Sequence, residues 1–351
     1  MKRKHKNLYE KICSFENLHC AYLKARKGKR YKDEILRFGA DQETLLLQLQ
    51  EELSNETYRH GEYKEFIVCD SKKRHIKAAP FRDRIVHHAF CNIVDPIFDK
   101  GFIFDSYACR KGKGTHGAVA RLKKFLRSAY DSEEGNIMGG YVLKCDVSKY
   151  FDNVDHRVLL SLIGKKISDE KTMRLASMII ESTCTKEGKG IPIGNLTSQF
   201  FANLYLNELD QFVKHTLKRQ HYIRYMDDFI ILGNDKRELS QMETQIGDFL
   251  QKKLLLALHP KKTVIHPAWK GVDFLGYVLF EEHVRLRKST VMRFEKRIKA
   301  YKKKCAKGLM FPEEITLSAK SWVAYAKHAR SWMLRKRVGE KLGVCFIIMN
   351  K

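Results

Sequence analysis

The stretch HYIRYMDDFIIL, His221 to Leu232, decides how the rest of this 351-residue chain is read. Its outer thirds are β-branched and aromatic residues at strand density, while its centre is two adjacent aspartates, which pleated strands avoid. The pattern predicts a tight strand-turn-strand with Asp227 and Asp228 at the tip. Two carboxylates pinned there either repel at some cost in stability or share a multivalent cation. Taken alone, a solvated acidic turn is the ordinary explanation. The choice between the two depends on what the rest of the chain brings to this turn.

Charge is the strongest bulk signal. Sixty-seven Lys and Arg face 41 Asp and Glu, a formal net charge of +26. Such an excess destabilises a compact chain by self-repulsion until a polyanion neutralises it, so nucleic acid is the first expected partner and an anionic membrane surface the second. A hydrophobic content of 44% and an aromatic content of 11% exclude a disordered chain, and the length predicts two or three domains or subdomains. No apolar run reaches signal-peptide or membrane-spanning length, so a cytoplasmic protein with no membrane partner is expected. Nine cysteines lack CxxC spacing, which argues against a zinc ribbon or a disulfide framework and predicts buried reduced thiols.

The partner for the acidic turn lies earlier in the chain. YVLKCD, Tyr141 to Asp146, is an apolar strand ending on an acid, followed by the aromatic pair Tyr150-Phe151 and by Asn153 or Asp155 as a helix N-cap. If this strand end and the turn are neighbours in one sheet, three carboxylates converge. In a basic protein that arrangement is costly unless it binds metal, and hard oxygen ligands without histidine or thiolate indicate magnesium or manganese.

Other segments frame these two. The first thirty residues are basic with interleaved aromatics and end in KARKGKR, residues 24–30, a run that is either an arm for phosphates or a solvated tail. Residues 33–53 predict a helix interrupted at Gly39, and residues 62–70 a strand. SKKRHIKAAPFRDR, Ser71 to Arg84, crowds Lys72, Lys73, Arg74, Lys77, Arg82 and Arg84 into one ribbon, with Pro80 starting the next helix. SYACRKGKGTHG, Ser106 to Gly117, offers backbone N–H groups with Arg110, Lys111 and Lys113 to phosphates, without matching the phosphate loop of ATPases. The loop at Gly188, Gly190, Pro192 and Gly194 can approach a ligand closely; Asn195 or Thr197 can cap the helix after it, and Ser198 and Gln199 place polar groups on its first turn. Residues 238–258 predict a helix, residues 272–280 a hairpin bent at Gly276, and residues 290–307 and 313–337 two long helices. From Arg285 to Lys341 there are eighteen Lys or Arg and four Glu, a charge density suited to a duplex backbone or to a solvated bundle.

Five motifs in order, YVLKCDVSKYF, IPIGNLTSQ, RYMDD, HPKK and FLGY, resemble those of a reverse transcriptase over roughly residues 62 to 340. The resemblance implies an α+β right-hand polymerase: a basic helical extension (1–61), fingers (62–140), a palm with an antiparallel sheet (141–283) and a helical thumb (284–351). It implies two-metal phosphoryl transfer with magnesium or manganese, in which Asp146 and Asp227 hold the ions, Asp228 supports them and the Val147 carbonyl completes a shell. Phe151 becomes the aromatic gate under the sugar. Arg74, with Lys72 or Lys77, would meet the triphosphate, and Lys261 or Lys262 the leaving phosphates. Arg110, Lys111, Lys113, Arg285 and Arg287 are the candidates for the nucleic-acid backbone.

Most reverse transcriptases have a glutamine before the glycine of the palm loop. Here the loop reads Ile193-Gly194-Asn195-Leu196-Thr197-Ser198-Gln199, a form that resembles the enzymes of diversity-generating retroelements. That likeness implies a bacterial or phage-encoded enzyme copying a template-repeat RNA into cDNA from dNTPs, with adenine-biased errors to which Ile193 and Gln199 contribute. It also implies a small basic accessory protein, oligomeric in form, and no maturase, endonuclease or RNase H segment. The rival expectations are a retron-type or group II intron-like reverse transcriptase without mutagenic duty, and a non-catalytic RNA-binding module built on the same hand.

Overall fold

The computed structural model describes residues 4–69, 73–130, 140–182 and 188–342. Four helices, α1 (Tyr9–Cys13), α2 (Phe15–Ala25), α3 (Asp33–Ala40) and α4 (Gln42–Ser54), precede an antiparallel ribbon of β1 (Lys64–Cys69) and β2 (Lys73–Ala78). Helices α5 (Phe81–Asp99) and α6 (Thr115–Tyr130) lead to β3 (Tyr141–Asp146), and α7 (Tyr150–Asn153), α8 (His156–Gly164), α9 (Glu170–Glu181) and α10 (Leu196–Gln211) follow. The chain then runs through β4 (Tyr222–Tyr225), β5 (Asp228–Gly233), α11 (Lys236–Leu254) and β6 (Val264–Pro267). It ends in β7 (Val272–Phe274), β8 (Tyr277–Leu279), β9 (Val284–Leu286), α12 (Lys288–Ala306), α13 (Pro312–Ala326) and α14 (Trp332–Leu342).

A four-stranded antiparallel sheet ordered β4-β5-β3-β6 is the platform of the molecule. Its two-residue periodicity sorts side chains into two cores. Leu143, Cys145, Tyr222, Phe229 and Ile231 face a large helical core built with α1, α2, α4, α5 and α8 to α11. Val142, Ile223, Ile230 and Leu232 face α6 and the small β7-β8-β9 sheet. A third, separate cluster, including Phe294, Ile298, Trp322 and Val323, holds α12 to α14 together, with Phe294 and Trp322 stacked at 4.2 Å.

Several expectations are corrected. The N-terminal segment packs through its apolar residues: Leu8, Ile12, Leu18, Ala21 and Tyr22 are buried in the main core, and the Asp169 carboxylate that caps α9 also accepts the Leu8 and Tyr9 amides at 2.7 and 2.8 Å, while in the run at 24–30 only Ala25 is buried. Apolar burial outweighs the charge on the opposite helix faces. The helix expected to reach residue 258 stops at Leu254, because Leu255 turns left-handed at φ 52°. The helix expected over 313–337 is two, α13 and α14. β9 pairs with β8, so the hairpin expected over 272–280 is part of a three-stranded sheet that takes in Val284–Leu286. Cys13, Cys91 and Cys145 are buried and free, but Cys20, Cys69 and Cys109 are exposed; Cys184 and Cys345 lie outside the described residues. Among the described residues no helix is long and apolar enough to cross a membrane.

Candidate active site

The acidic turn and the strand end do meet. β4 and β5 form a hairpin whose two loop residues are Met226, left-handed at φ 58°, and Asp227. Asp228 is therefore not at the tip but is the first residue of β5, directly opposite Asp146 across the β3–β5 pair. Facing like charges destabilise a sheet. Burial, with Asp227 and Asp146 nearby, raises the Asp228 carboxyl to about 6 against the opposing pull of Lys144 and Lys262. The Val147 amide donates to the Asp227 carbonyl at 3.3 Å, which ties the turn to the end of β3.

Two lysines balance the acids. Lys262 Nζ lies 2.6 Å from each oxygen of Asp146. Lys144 donates to the Asp273 carbonyl at 2.8 Å. Lys261, an equal candidate on sequence grounds, is exposed, and its amide bonds His259 Nδ1 within the same loop.

Donor chemistry decides whether a divalent cation fits. Asp146, Asp227 and Asp228 offer only carboxylate oxygen, as a hard cation requires. In this conformation Lys262 takes both oxygens of Asp146, and among the described residues no three His, Cys, Asp or Glu side chains are gathered closely enough to hold an ion. The donor type fits, and the full convergence expected from sequence is not formed here.

The turn is held from beneath by a group that the sequence patterns did not single out. Arg224, fully buried in β4, donates Nε and Nη2 to Asp210 of α10 at 2.7 and 2.6 Å. Its Nη1 donates to the Met226 carbonyl at 3.0 Å, and Nη2 also reaches Ser106 Oγ at 3.1 Å. The Tyr222 hydroxyl donates to the same Asp210 at 2.7 Å. An arginine inside an otherwise apolar strand was the available signal, since a buried guanidinium demands a carboxylate.

The 191–199 loop docks on the ribbon. The Lys77 amide donates to the Ile193 carbonyl at 3.1 Å, and the Asn195 side chain accepts from the Ala79 amide at 3.2 Å and donates to the Lys77 carbonyl at 3.0 Å. Asn195 thus occupies the N-cap position of α10 but bonds β2 instead of the helix. Gly194 sits at φ 123° with room for no β-carbon, since one would stand 2.9 Å from Ile76 Cγ2. Ser198 and Thr197 are buried, so Ser198 does not face the loop's open side as expected; Gln199 is half-buried.

The basic candidates separate by geometry. Arg74 is exposed on the ribbon face that Ile76 shares, whereas Lys77 points to the other face and pairs with Glu65 at 3.0 Å. Lys72 lies outside the described residues. Arg110 is not presented to solvent phosphates: it bonds Asp99 at 2.6 Å and the carbonyls of Ile103 and Ser106, which spends its planar fork internally. Lys113 donates to the Phe104 carbonyl at 2.9 Å, Arg287 pairs with Asp273, and Lys111 and Arg285 are exposed. Phe151, half-buried beside Tyr150, has its carbonyl bonded by the Ile191 amide at 2.8 Å, so the aromatic and the loop are one unit.

The family model described as reverse transcriptase (RNA-dependent DNA polymerase) matches residues 64–279, more than half the chain, with all three aspartates, Lys262 and Arg224. The chain belongs to the reverse transcriptase family. Its relatives include Protein YkfC of Escherichia coli (strain K12), 28% identical over 62% of this chain and 65% of that protein. Group II intron-encoded protein LtrA of Lactococcus lactis subsp. cremoris is 25% identical over 65% of this chain and 47% of LtrA. The chain thus spans between about half and two thirds of these relatives' lengths. A solved structure of telomerase from Candida albicans with a TWJ fragment of telomeric RNA aligns at a TM-score of 0.51 and 11% identity, over 78% of this chain and 56% of that one. This reverse transcriptase therefore has the α+β right-hand polymerase fold.

Proposed function

We propose that this reverse transcriptase is an RNA-directed DNA polymerase working through Asp146, Asp227 and Asp228. The in-register apposition of Asp146 and Asp228 beside the Asp227 turn carries the reading, because a basic fold accepts facing acids only where a cation is needed. Asp146 and Asp227 would hold magnesium or manganese with Asp228 in support. When bound, the metal activates the primer hydroxyl and neutralises the departing pyrophosphate. The chain's own groups do the rest. Arg224 keeps the turn in place through the Met226 carbonyl, Phe151 excludes a 2′-hydroxyl, Arg74 meets the triphosphate from the ribbon, and Lys262 stands where it can exchange Asp146 for the leaving phosphates. Primer extension on a defined RNA with dNTPs tests this, with Asp227→Asn as control; extension that survives the substitution overturns it.

The finer reading is adenine-biased copying of a template-repeat RNA for sequence diversification, with a small basic, oligomeric accessory protein as partner. It rests on Ile193, whose alkyl side chain lacks the hydrogen bonds a glutamine amide would offer to template or nucleotide. Sequencing cDNA made by wild type and Ile193→Gln decides it: the adenine error rate falls in the variant, and an unchanged rate sinks the idea. The intron-encoded name of a relative favours a second reading, an intron-type enzyme of ordinary fidelity, which predicts no adenine bias in the wild type.

A further inference from the structure

The end of the β4–β5 hairpin remote from Asp227 carries a second concentration of charge. A cavity of about 660 Å³ opens there between α6, Asp105 and the segment from Lys214 to His221 that enters β4. The four extended residues of β4, Tyr222–Tyr225, separate His221 from the turn at Met226 and Asp227, roughly 13 Å at about 3.3 Å per residue, so the cavity is no part of the active site.

Five cationic side chains, Arg121, Lys124, Lys214, Lys218 and Arg219, line this cavity with one carboxylate. That carboxylate, Asp105, is buried and already shared: Arg121 Nε lies 2.8 Å from Oδ1 and Lys214 Nζ 3.2 Å from Oδ2. Arg219 pairs with Glu238, yet its Nε is buried without a hydrogen-bond partner among the described residues. Lys124 and Lys218 have no acidic partner among the described residues. Burial, then Lys214 and Arg121, lower the pKa of the His221 imidazole, as a positive potential should. A fold that leaves like charges facing one another gains stability when an anion enters.

Backbone strain maintains the arrangement. α10 runs into a π-helical turn at Phe212–Thr216, which carries Lys214, and Lys218 follows in the left-handed region at φ 55°. Glycine is the usual occupant after a helix end, because a β-carbon is strained there. Arg121 links the cavity to an exposed ring beside it. The Arg121 guanidinium lies 4.5 Å from the Phe125 ring centroid and 5.3 Å from that of Phe104, which is 65% exposed. Lys113 Nζ also lies over the Phe104 ring, 3.3 Å from its centroid. An exposed ring among cations suits single-stranded nucleic acid, whose bases stack in place of the lysine while its phosphates meet the charges. A duplex hides its base faces, and an acidic protein surface has no need of the ring.

We propose that this cleft is a second RNA site, taking a single-stranded stretch of the template-bearing RNA outside the segment being copied, with phosphates on Lys124, Lys218 and Arg219 and a base on Phe104. It builds on the RNA-copying reading above, and its test reads binding, so the two can fail separately.

Anisotropy of a labelled single-stranded RNA, with the polymerase cleft filled by an excess of unlabelled primer-template duplex, measures the site on the full chain. Lys124→Ala/Lys218→Gly/Arg219→Ala should lower affinity more than tenfold and reduce the log–log salt slope by about 2, at about 0.7 for each phosphate no longer neutralised. Phe104→Ala should lower affinity about tenfold and leave the slope unchanged. Extension on a template no longer than its copied segment should stay at the wild-type rate. Lys218→Gly alone should unfold at the wild-type temperature or above while binding RNA more weakly. Unchanged affinity and slope in the triple variant overturn the site, as does equal binding of fully duplex RNA. Loss of poly-glutamate binding with RNA binding intact overturns it in favour of an acidic protein.

Discussion

Lys262 Nζ stands 2.6 Å from both oxygens of Asp146, joining the HPKK loop to the end of β3 across 116 residues of sequence. An ammonium and a divalent ion compete for the same carboxylate. Lys262→Met should therefore tighten Mn²⁺ binding to the protein alone by about ten- to hundredfold, the weight of a hydrogen bond to a charged group. On the role proposed for Lys262 at the leaving phosphates, the same change should slow nucleotide addition by a similar factor. Lys261→Met should do neither, and equal effects from the two lysines would refute the assignment.

The pH dependence follows from Asp228. Its carboxyl titrates at about 6 in the fold against 3.8 ordinarily, so the folded state holds more protons between those values and stability falls as pH rises from about 4 to about 6. Above that range the ionised group costs about 2–3 kcal/mol in the metal-free protein. Asp228→Asn should recover that amount in urea unfolding at pH 8 and almost nothing at pH 4, while primer extension collapses. A stability gain independent of pH would show that the acids are not coupled.

Arg224 and Asp210 separate stability from activity. Removing either partner strands a buried charge, so Arg224→Met should cost about 3–5 kcal/mol. Arg224→Met/Asp210→Leu should regain most of that stability. Its extension rate should nevertheless stay low, because the Met226 carbonyl no longer has its donor. Full recovery of the rate would reduce the pair to a packing element.

Gly194→Ala places a β-carbon against Ile76 at a backbone angle that alanine avoids. The expected strain of about 1–3 kcal/mol falls on the seam between loop and ribbon. Steady-state kinetics should show a raised KM for dNTP with a small change in Tm. A large fall in Tm with unaltered KM would place the cost in the core instead.

Phe151→Ala tests the gate role proposed for this ring. Ribonucleotide incorporation relative to deoxyribonucleotide should rise by about ten- to two-hundredfold, the range available to a steric pocket. Unaltered discrimination in single-nucleotide extension assays would remove Phe151 from the gate.

Element type was readable where periodicity is strong. The apolar runs at 141–146 and 222–233 are strands, and the left-handed Met226 of a two-residue loop accommodates the turn between the latter pair. Helix ends read less well. Leu255 stops α11 through a backbone angle that no residue pattern announces, and residues 327–331 interrupt a stretch whose apolar spacing stays helical. The packing of the N-terminal helices was hidden for a different reason: net charge records solvent faces, whereas the buried stripe of Leu18, Ala21 and Tyr22 decides where the helix packs.

The family, the order of the elements and the residue types available for chemistry are all written in the linear chain, since spaced motifs and two-residue alternation are local properties. Which of those residues meet is a matter of folding. Register puts Asp228, not Asp227, opposite Asp146; Lys262 rather than Lys261 reaches the acid; and Arg110 and Lys77 are consumed by Asp99 and Glu65. A charge is assigned by whichever opposite charge the fold brings within hydrogen-bond reach, and at Asp146 that distance is set by strand and loop pairing across more than a hundred residues.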